Sequence, residues 1–237
     1  MIAIDIKNLS KNYKEIKALD NLTLSINKNE LFGLLGENGA GKTTLIKILT
    51  TLIKKDSGEV KIFNYDLDKD GKEIRKIINI SPQDNALANN LTIKENIDFF
   101  KDIYNINDNE YILSLINKFK LNEYLNKKVK TLSGGFKRRT SILISLLSKP
   151  QILFLDEPTL GLDVLARKEV WNILKELKNK CTIILTSHYL EEIELLCDNL
   201  CILKSGKLKE VGNIDTIKNK TSSSTFEEAY IKIIEGN

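Results

Sequence analysis

The chain is poor in the residues that mark linkers, cross-links and membrane spans. Of its 237 residues only three are proline (Pro82, Pro150, Pro158), three cysteine and one histidine. No Pro-, Gly- or Ser-rich stretch interrupts it, so one compact unit is expected. An odd number of cysteines at unrelated places excludes a disulfide framework, and Cys197 and Cys201 lack the second pair of a zinc site. All three are expected as small core side chains. The longest apolar runs, 152–155 and 183–185, fall far short of the roughly 20 residues that cross a bilayer, so no membrane span is expected. Neither charge dominates: 36 Lys and Arg against 32 Asp and Glu leave +4, which gives no basic stripe for nucleic acid and no acidic tail. Only Arg75, Arg138, Arg139 and Arg167 among the basic residues are arginine, a compositional bias toward lysine. The opening Met1-Ile-Ala-Ile-Asp-Ile carries no basic leader, apolar stretch and cleavage site, which predicts a cytoplasmic protein.

What remains is ordinary globular material, 42% hydrophobic and 29% charged, and its patterning is informative. Ile2, Ile4 and Ile6, then Leu22, Leu24 and Ile26, alternate with polar residues, the mark of half-buried antiparallel strands. Residues 31–35 form a continuous apolar run, as in a strand covered on both faces. A glycine-rich turn follows, then an amphipathic helix over 42–52 with Leu45, Ile46, Leu49 and Leu52 on its apolar side. Residues 85–148 read as helical, without a convincing strand. From Gln151 the order becomes strand (152–155), helix (165–177), strand (182–186), helix (189–196) and strand (199–203), which predicts a parallel sheet with helices on its faces.

The strongest local signal is Gly36-Glu37-Asn38-Gly39-Ala40-Gly41-Lys42-Thr43, followed by Thr44. It fits G-x-x-x-x-G-K-[ST] and lies between an expected strand and an expected helix, the context that confirms the motif. Its glycines let backbone N–H groups turn inward around an anion, and the following helix points its positive end there. Lys42 supplies a point charge for the β- and γ-phosphates, and the Thr43 hydroxyl a Mg²⁺ ligand. A second apolar strand ends in Asp156-Glu157, placing Asp156 to help hold magnesium and Glu157 to take a proton from an attacking water. These two motifs predict nucleoside triphosphate binding with hydrolysis.

The segment Leu132-Ser133-Gly134-Gly135-Phe136-Lys-Arg-Arg139 resembles the signature loop of ABC ATPases, with Phe136 where the family usually has Gln. The resemblance extends over essentially the whole chain. Tyr13, 23 residues before Gly36, is similar to the family's adenine-stacking aromatic, and Gln83 to its hinge glutamine near magnesium, water and the transporter contact. Asp163, in Gly161-Leu162-Asp163, resembles the loop that communicates across the dimer, and His188 the switch histidine bonded to the γ-phosphate and Glu157. The resemblance implies a P-loop NTPase (RecA-like) α/β fold: a parallel-sheet core with an N-terminal antiparallel β subdomain (1–84 and 149–237) and an inserted helical subdomain (85–148), together one ABC ATPase domain over 1–237.

It also implies a mechanism. Two copies, or one copy and a paralogue, would sandwich two ATP molecules, each between residues 36–44 of one chain and Ser133, Gly134 and Gly135 of the other. Binding would close the dimer and hydrolysis reopen it. The favoured use is the energising subunit of a membrane transporter, peripheral on the inner face of the cell membrane, with a membrane-spanning partner docked near Gln83 and the helical subdomain. Residues 35–52, 62–66 and 225–231 resemble the exporter group that handles drugs, antibiotics, lipids or sodium. Two other uses compete. A soluble ABC ATPase, for example in iron–sulfur cluster assembly, stays open, although the separation of 90 positions from Thr43 to Ser133 leaves no room for the long coiled coil of repair members. A regulatory switch with little turnover is disfavoured by Glu157 and His188.

Overall fold

The computed structural model describes residues 1–84 and 86–236. Asn85, where the helical segment is expected to begin, and Asn237 lie outside the described residues. In chain order the elements are β1 (Ile2–Tyr13), β2 (Ile16–Asn27), β3 (Leu31–Gly36), α1 (Lys42–Leu49), β4 (Ser57–Ile62), β5 (Tyr65–Asp66), α2 (Gly71–Ile77) and β6 (Ile78–Ser81). There follow α3 (Ile93–Ile103), α4 (Asn109–Lys118), α5 (Gly134–Leu146), β7 (Ile152–Asp156), α6 (Val164–Leu177) and β8 (Thr182–Ser187). The chain ends in α7 (Leu190–Leu196), β9 (Asn199–Lys204), β10 (Lys207–Gly212), α8 (Ile214–Lys220) and α9 (Phe226–Glu235).

Among the described residues the strands form two sheets, a four-stranded one in the order β2-β1-β4-β5 and a six-stranded one in the order β10-β9-β3-β8-β7-β6. The first is antiparallel throughout. The second is parallel from β9 to β6, with β10 antiparallel at its edge. The period-two geometry of a strand sends alternate side chains to opposite faces, and here both faces are apolar. Phe32, Leu34, Phe154 and Ile184 join a core shared with α1 and the antiparallel sheet. Leu31, Leu35, Leu153, Leu155, Ile183 and Leu185 join the other core, with α3 to α7 and α9. The expected α/β class is therefore the observed one.

The chain from Ile93 to Leu146 is helical as read, with an isolated bridge between Thr92 and Lys128. Thr92 and Glu95 form a reciprocal capping box that starts α3, and Asp108 caps α4. Cys181 and Cys201 are buried, Cys197 is half-buried, and all three are free, as expected of core thiols. No helix among the described residues is long and apolar enough to cross a membrane.

Two details differ from the sequence reading. The first helix ends at Leu49 rather than Leu52: Thr51 turns left-handed at φ 61°, and Leu52, expected on the apolar side, is 65% exposed. The antiparallel sheet also takes β4 and β5 from after α1, so it is not built from the first thirty residues alone.

Phe154 lies at the middle of β7 and is fully buried. Phe154→Ala is expected to cost about 3–5 kcal/mol in chemical denaturation, whereas Leu52→Ser should stay within about 0.5 kcal/mol of the parent protein.

Candidate functional site

The phosphate loop sits where β3 leaves the middle of the parallel sheet, between β8 and β9, at the carboxyl ends of the strands where open α/β sheets bind ligands. Gly39 and Gly41 hold the loop open with φ of 81° and 107°, a region that side chains disfavour. A Cβ on Gly41 would stand 2.6 Å from the carbonyl oxygen of Ala18, so the antiparallel sheet presses directly on the loop. Lys42, the first residue of α1, is buried and folds back to donate to the carbonyl oxygens of Gly36 (2.6 Å) and Glu37 (3.2 Å). Burial lowers the pKa of its ammonium, and the Glu157 and Asp156 carboxylates oppose that shift.

A cavity of about 530 Å³ opens above the loop. It is lined by residues 37–44, by Ile16, Lys17 and Ala18 from the neighbouring hairpin, and by Gln83, Glu157, Leu160 and His188. Thus the expected loop residues, Gln83, Glu157 and His188 meet in one place. Asp156 is buried at the end of β7 beneath them. The Thr186 hydroxyl donates to Asp156 Oδ1 at 2.6 Å and accepts from the Glu157 amide at 2.9 Å, so β8 fixes both acids of β7. Glu157 itself is left-handed, φ 49°, and its Oε2 lies 2.6 Å from His188 Nδ1.

Other expected residues lie elsewhere. Tyr13 ends β1 opposite Ile16, is 44% exposed and stands outside the cavity lining, where Ile16 and its two successors supply the wall instead. Ser133, Gly134 and Gly135 open α5 away from that lining: Ser133 and Gly134 are exposed, and Gly135 packs so closely on Ala166 that a Cβ would come within 2.8 Å of it. Asp163 caps α6, accepting from the Ala166 amide at 2.9 Å. Phe136 is half-buried, its ring 3.9 Å from that of Tyr124 and under the Arg139 guanidinium at 4.3 Å. It packs where the family's usual Gln would be polar.

The structure adds residues that motif reading passes over. Arg138 is buried among main-chain carbonyls, and burial brings its pKa down to about 10 against the pull of Asp156, Glu192 and Glu157. Glu192, on α7, is fully buried and accepts at Oε1 from Thr159 Oγ1 and Trp171 Nε1, each at 2.8 Å. Both could have been suspected from spacing: Arg138 falls at i−4 and i−8 from Ile142 and Leu146, and Glu192 at i−4 from Leu196, on apolar helix faces. The Thr43 hydroxyl, the Asp156 carboxylate and the Gln83 amide oxygen are hard oxygen donors suited to Mg²⁺. Among the described residues no three His, Cys, Asp or Glu side chains gather to hold an ion by themselves, so a cation here would draw further ligands from phosphate and water.

A central strand, an anion-binding loop, a helix N-terminus and two acids on the neighbouring strand define a nucleoside-triphosphate site of the P-loop type. The comparisons with known proteins give the family. Residues 19–160 match the model described as ABC transporter. The daunorubicin resistance ATP-binding protein DrrA3 of Streptomyces coeruleorubidus is 34% identical over 95% of this chain and 72% of its own length. The ABC transporter G family member 23 of Dictyostelium discoideum is 36% identical over 100% of this chain but only 34% of its own, so the chain spans about a third of that relative. A solved dimeric ATP-binding cassette in a post-hydrolysis state, bound to ADP and Pi, superposes with a TM-score of 0.79 at 28% identity, covering 89% of this chain and 98% of that one. The chain belongs to the ABC transporter family.

Burial pushes the Glu192 carboxyl above its usual range, with hydrogen bonds from Ser187, Trp171 and Thr159 opposing. A carboxyl raised on folding contributes stability below its unfolded pKa and loses it as pH rises through the folded value. Glu192→Gln keeps the acceptor and removes the ionisation. It is expected to melt above the parent protein at about pH 8, with the difference shrinking toward about pH 5 in thermal melts.

Proposed function

We propose that this chain binds and hydrolyses ATP with Mg²⁺ as the energising subunit of a membrane transporter, of the exporter group, working as a head-to-tail dimer. The observation that carries this reading is the Glu157–His188 pair, 2.6 Å apart, facing the same cavity as the phosphate loop. The loop amides and Lys42 take the β- and γ-phosphates once the ammonium leaves the carbonyls of Gly36 and Glu37. Glu157 accepts the proton of the attacking water. With its Nδ1 committed to Glu157, His188 has Nε2 left for the terminal phosphate. Thr43, Asp156 and Gln83 would hold Mg²⁺, which would supply positive charge to offset the negative charge of the triphosphate. Ile16, which lines the cavity, and Tyr13, paired with it across the β1–β2 hairpin, are the residues on offer to an adenine ring.

Dimerisation follows from separation. Ser133, Gly134 and Gly135 do not share the cavity with the loop, so a second copy or a paralogue would bring them to a triphosphate; that a similar ATP-binding cassette has been solved as a dimer supports this reading. Leu160, before α6, and Val164 and Leu165, in its first turn, are 40%, 63% and 76% exposed and form an apolar surface for that contact. A membrane-spanning partner fits a second cavity of about 660 Å³, where Leu52, Ile78, Ile80, Tyr104 and Ile106 are rimmed by Arg75, Lys76 and Lys149. It lies beside β6, which leads to Gln83, and beside the helical segment proposed as the subdomain 85–148. For a subunit that draws on cellular ATP, we infer a place on the cytoplasmic face of the membrane. The drug-resistance name of its relative supports export.

Glu157→Gln should bind ATP without splitting it and accumulate as a dimer. Light scattering with saturating Mg-ATP is expected to show twice the monomer mass, and a persistent monomer would overturn the closure model. Lys42→Ala is expected to weaken ATP binding about 100-fold, or about 2.7 kcal/mol, by titration calorimetry; unchanged affinity would remove the loop assignment.

A further inference from the structure

Arg138 lies on α5, five residues beyond Ser133, and is only 4% exposed. Among the described residues it makes no ion pair. Its donors go to three main-chain carbonyls: Nε to Pro158 (2.9 Å), Nη2 to Asp156 (2.9 Å) and Nη1 to Pro82 (2.6 Å). The first two acceptors flank Glu157, whose backbone is left-handed at φ 49°. A residue with a side chain adopts that conformation at a cost, which contacts to its flanking carbonyls help to offset. The third acceptor immediately precedes Gln83. A guanidinium presents its N–H groups in a rigid planar fork, so three acceptors from two loops are fixed relative to one another, which a single ammonium cannot do.

We propose that Arg138 is a positioning residue for ATP hydrolysis: its fork holds the carbonyls on either side of Glu157, keeping that carboxylate turned toward the cavity and His188, and sets the loop that carries Gln83. The inference rests on the hydrolytic reading above. Because α5 also carries the signature turn at its start, a shift of that helix is passed at once to Glu157 and to Gln83. The phosphate loop lies outside the clamp, so binding of ATP to the single chain does not depend on it.

Arg138→Lys retains the charge but loses the fork. Its kcat for ATP is expected to fall about tenfold or more while KM stays within about threefold. In Arg138→Ala, added guanidinium chloride at low concentration should restore part of kcat, and methylammonium chloride at the same concentration should not. A Lys variant with kcat within about twofold of the parent overturns the proposal, as does one that loses kcat and ATP affinity together or fails to fold. Should the Ala variant not fold, the Lys variant decides. Equal rescue by methylammonium would also overturn it, since charge alone would then suffice. The hydrolytic reading fails separately: a parent protein that does not split ATP overturns that reading, whereas retained turnover in the Lys variant of an active protein overturns the clamp alone.

Discussion

One hydroxyl joins the parts of this site. Thr186, buried in β8, donates to Asp156 and accepts from the amide of Glu157, and two residues later the same strand delivers His188. Two parallel strands in register would otherwise place their carboxyl ends side by side with no fixed relation between side chains. A short charge-assisted bond in a buried setting supplies that relation, because in low dielectric an unpaired carboxylate or hydroxyl is costly. The register pairs Asp156 with Thr186 directly, so a slip of one residue would turn each side chain to the other face and undo the bond. Both faces of the sheet are packed, so such a slip would have to rebuild two cores at once. Core and site are thus one constraint.

Much of the fold was legible because the central strands are apolar on both faces, and such runs have few alternatives once a phosphate loop separates strand from helix. The acids and the histidine were legible because each stands at the end of such a run. Other elements gave weaker signals. β6 reads Ile-Asn-Ile-Ser, and its Asn79 is tolerable only because Tyr104 and Ser148, distant in sequence, bond its amide. β4 has Ser57, Glu59 and Lys61 exposed along its length, with Val60 and Ile62 as its buried residues.

Arg138 shows a different limit. In the run Lys-Arg-Arg it looks like a solvated charge, and periodicity alone assigns it to an apolar face. Its acceptors are the carbonyls of Pro82, Asp156 and Pro158, and backbone atoms leave no trace in the identity of the residues that carry them. Tyr13 is the converse. Its distance from the loop fits an aromatic that stacks on a base, yet the lining of the cavity comes from three residues on the next strand.

The lysine of the phosphate loop bears on how fast a ligand can enter. Its ammonium already bridges the carbonyls of Gly36 and Glu37, so the turn is closed by its own side chain before anything arrives. The conformational entropy of ordering those residues is surrendered when the chain folds, not at each encounter. An incoming phosphate therefore competes with two existing hydrogen bonds instead of waiting for a loop to form. Taking up a phosphate then means trading those two hydrogen bonds for contacts to the anion.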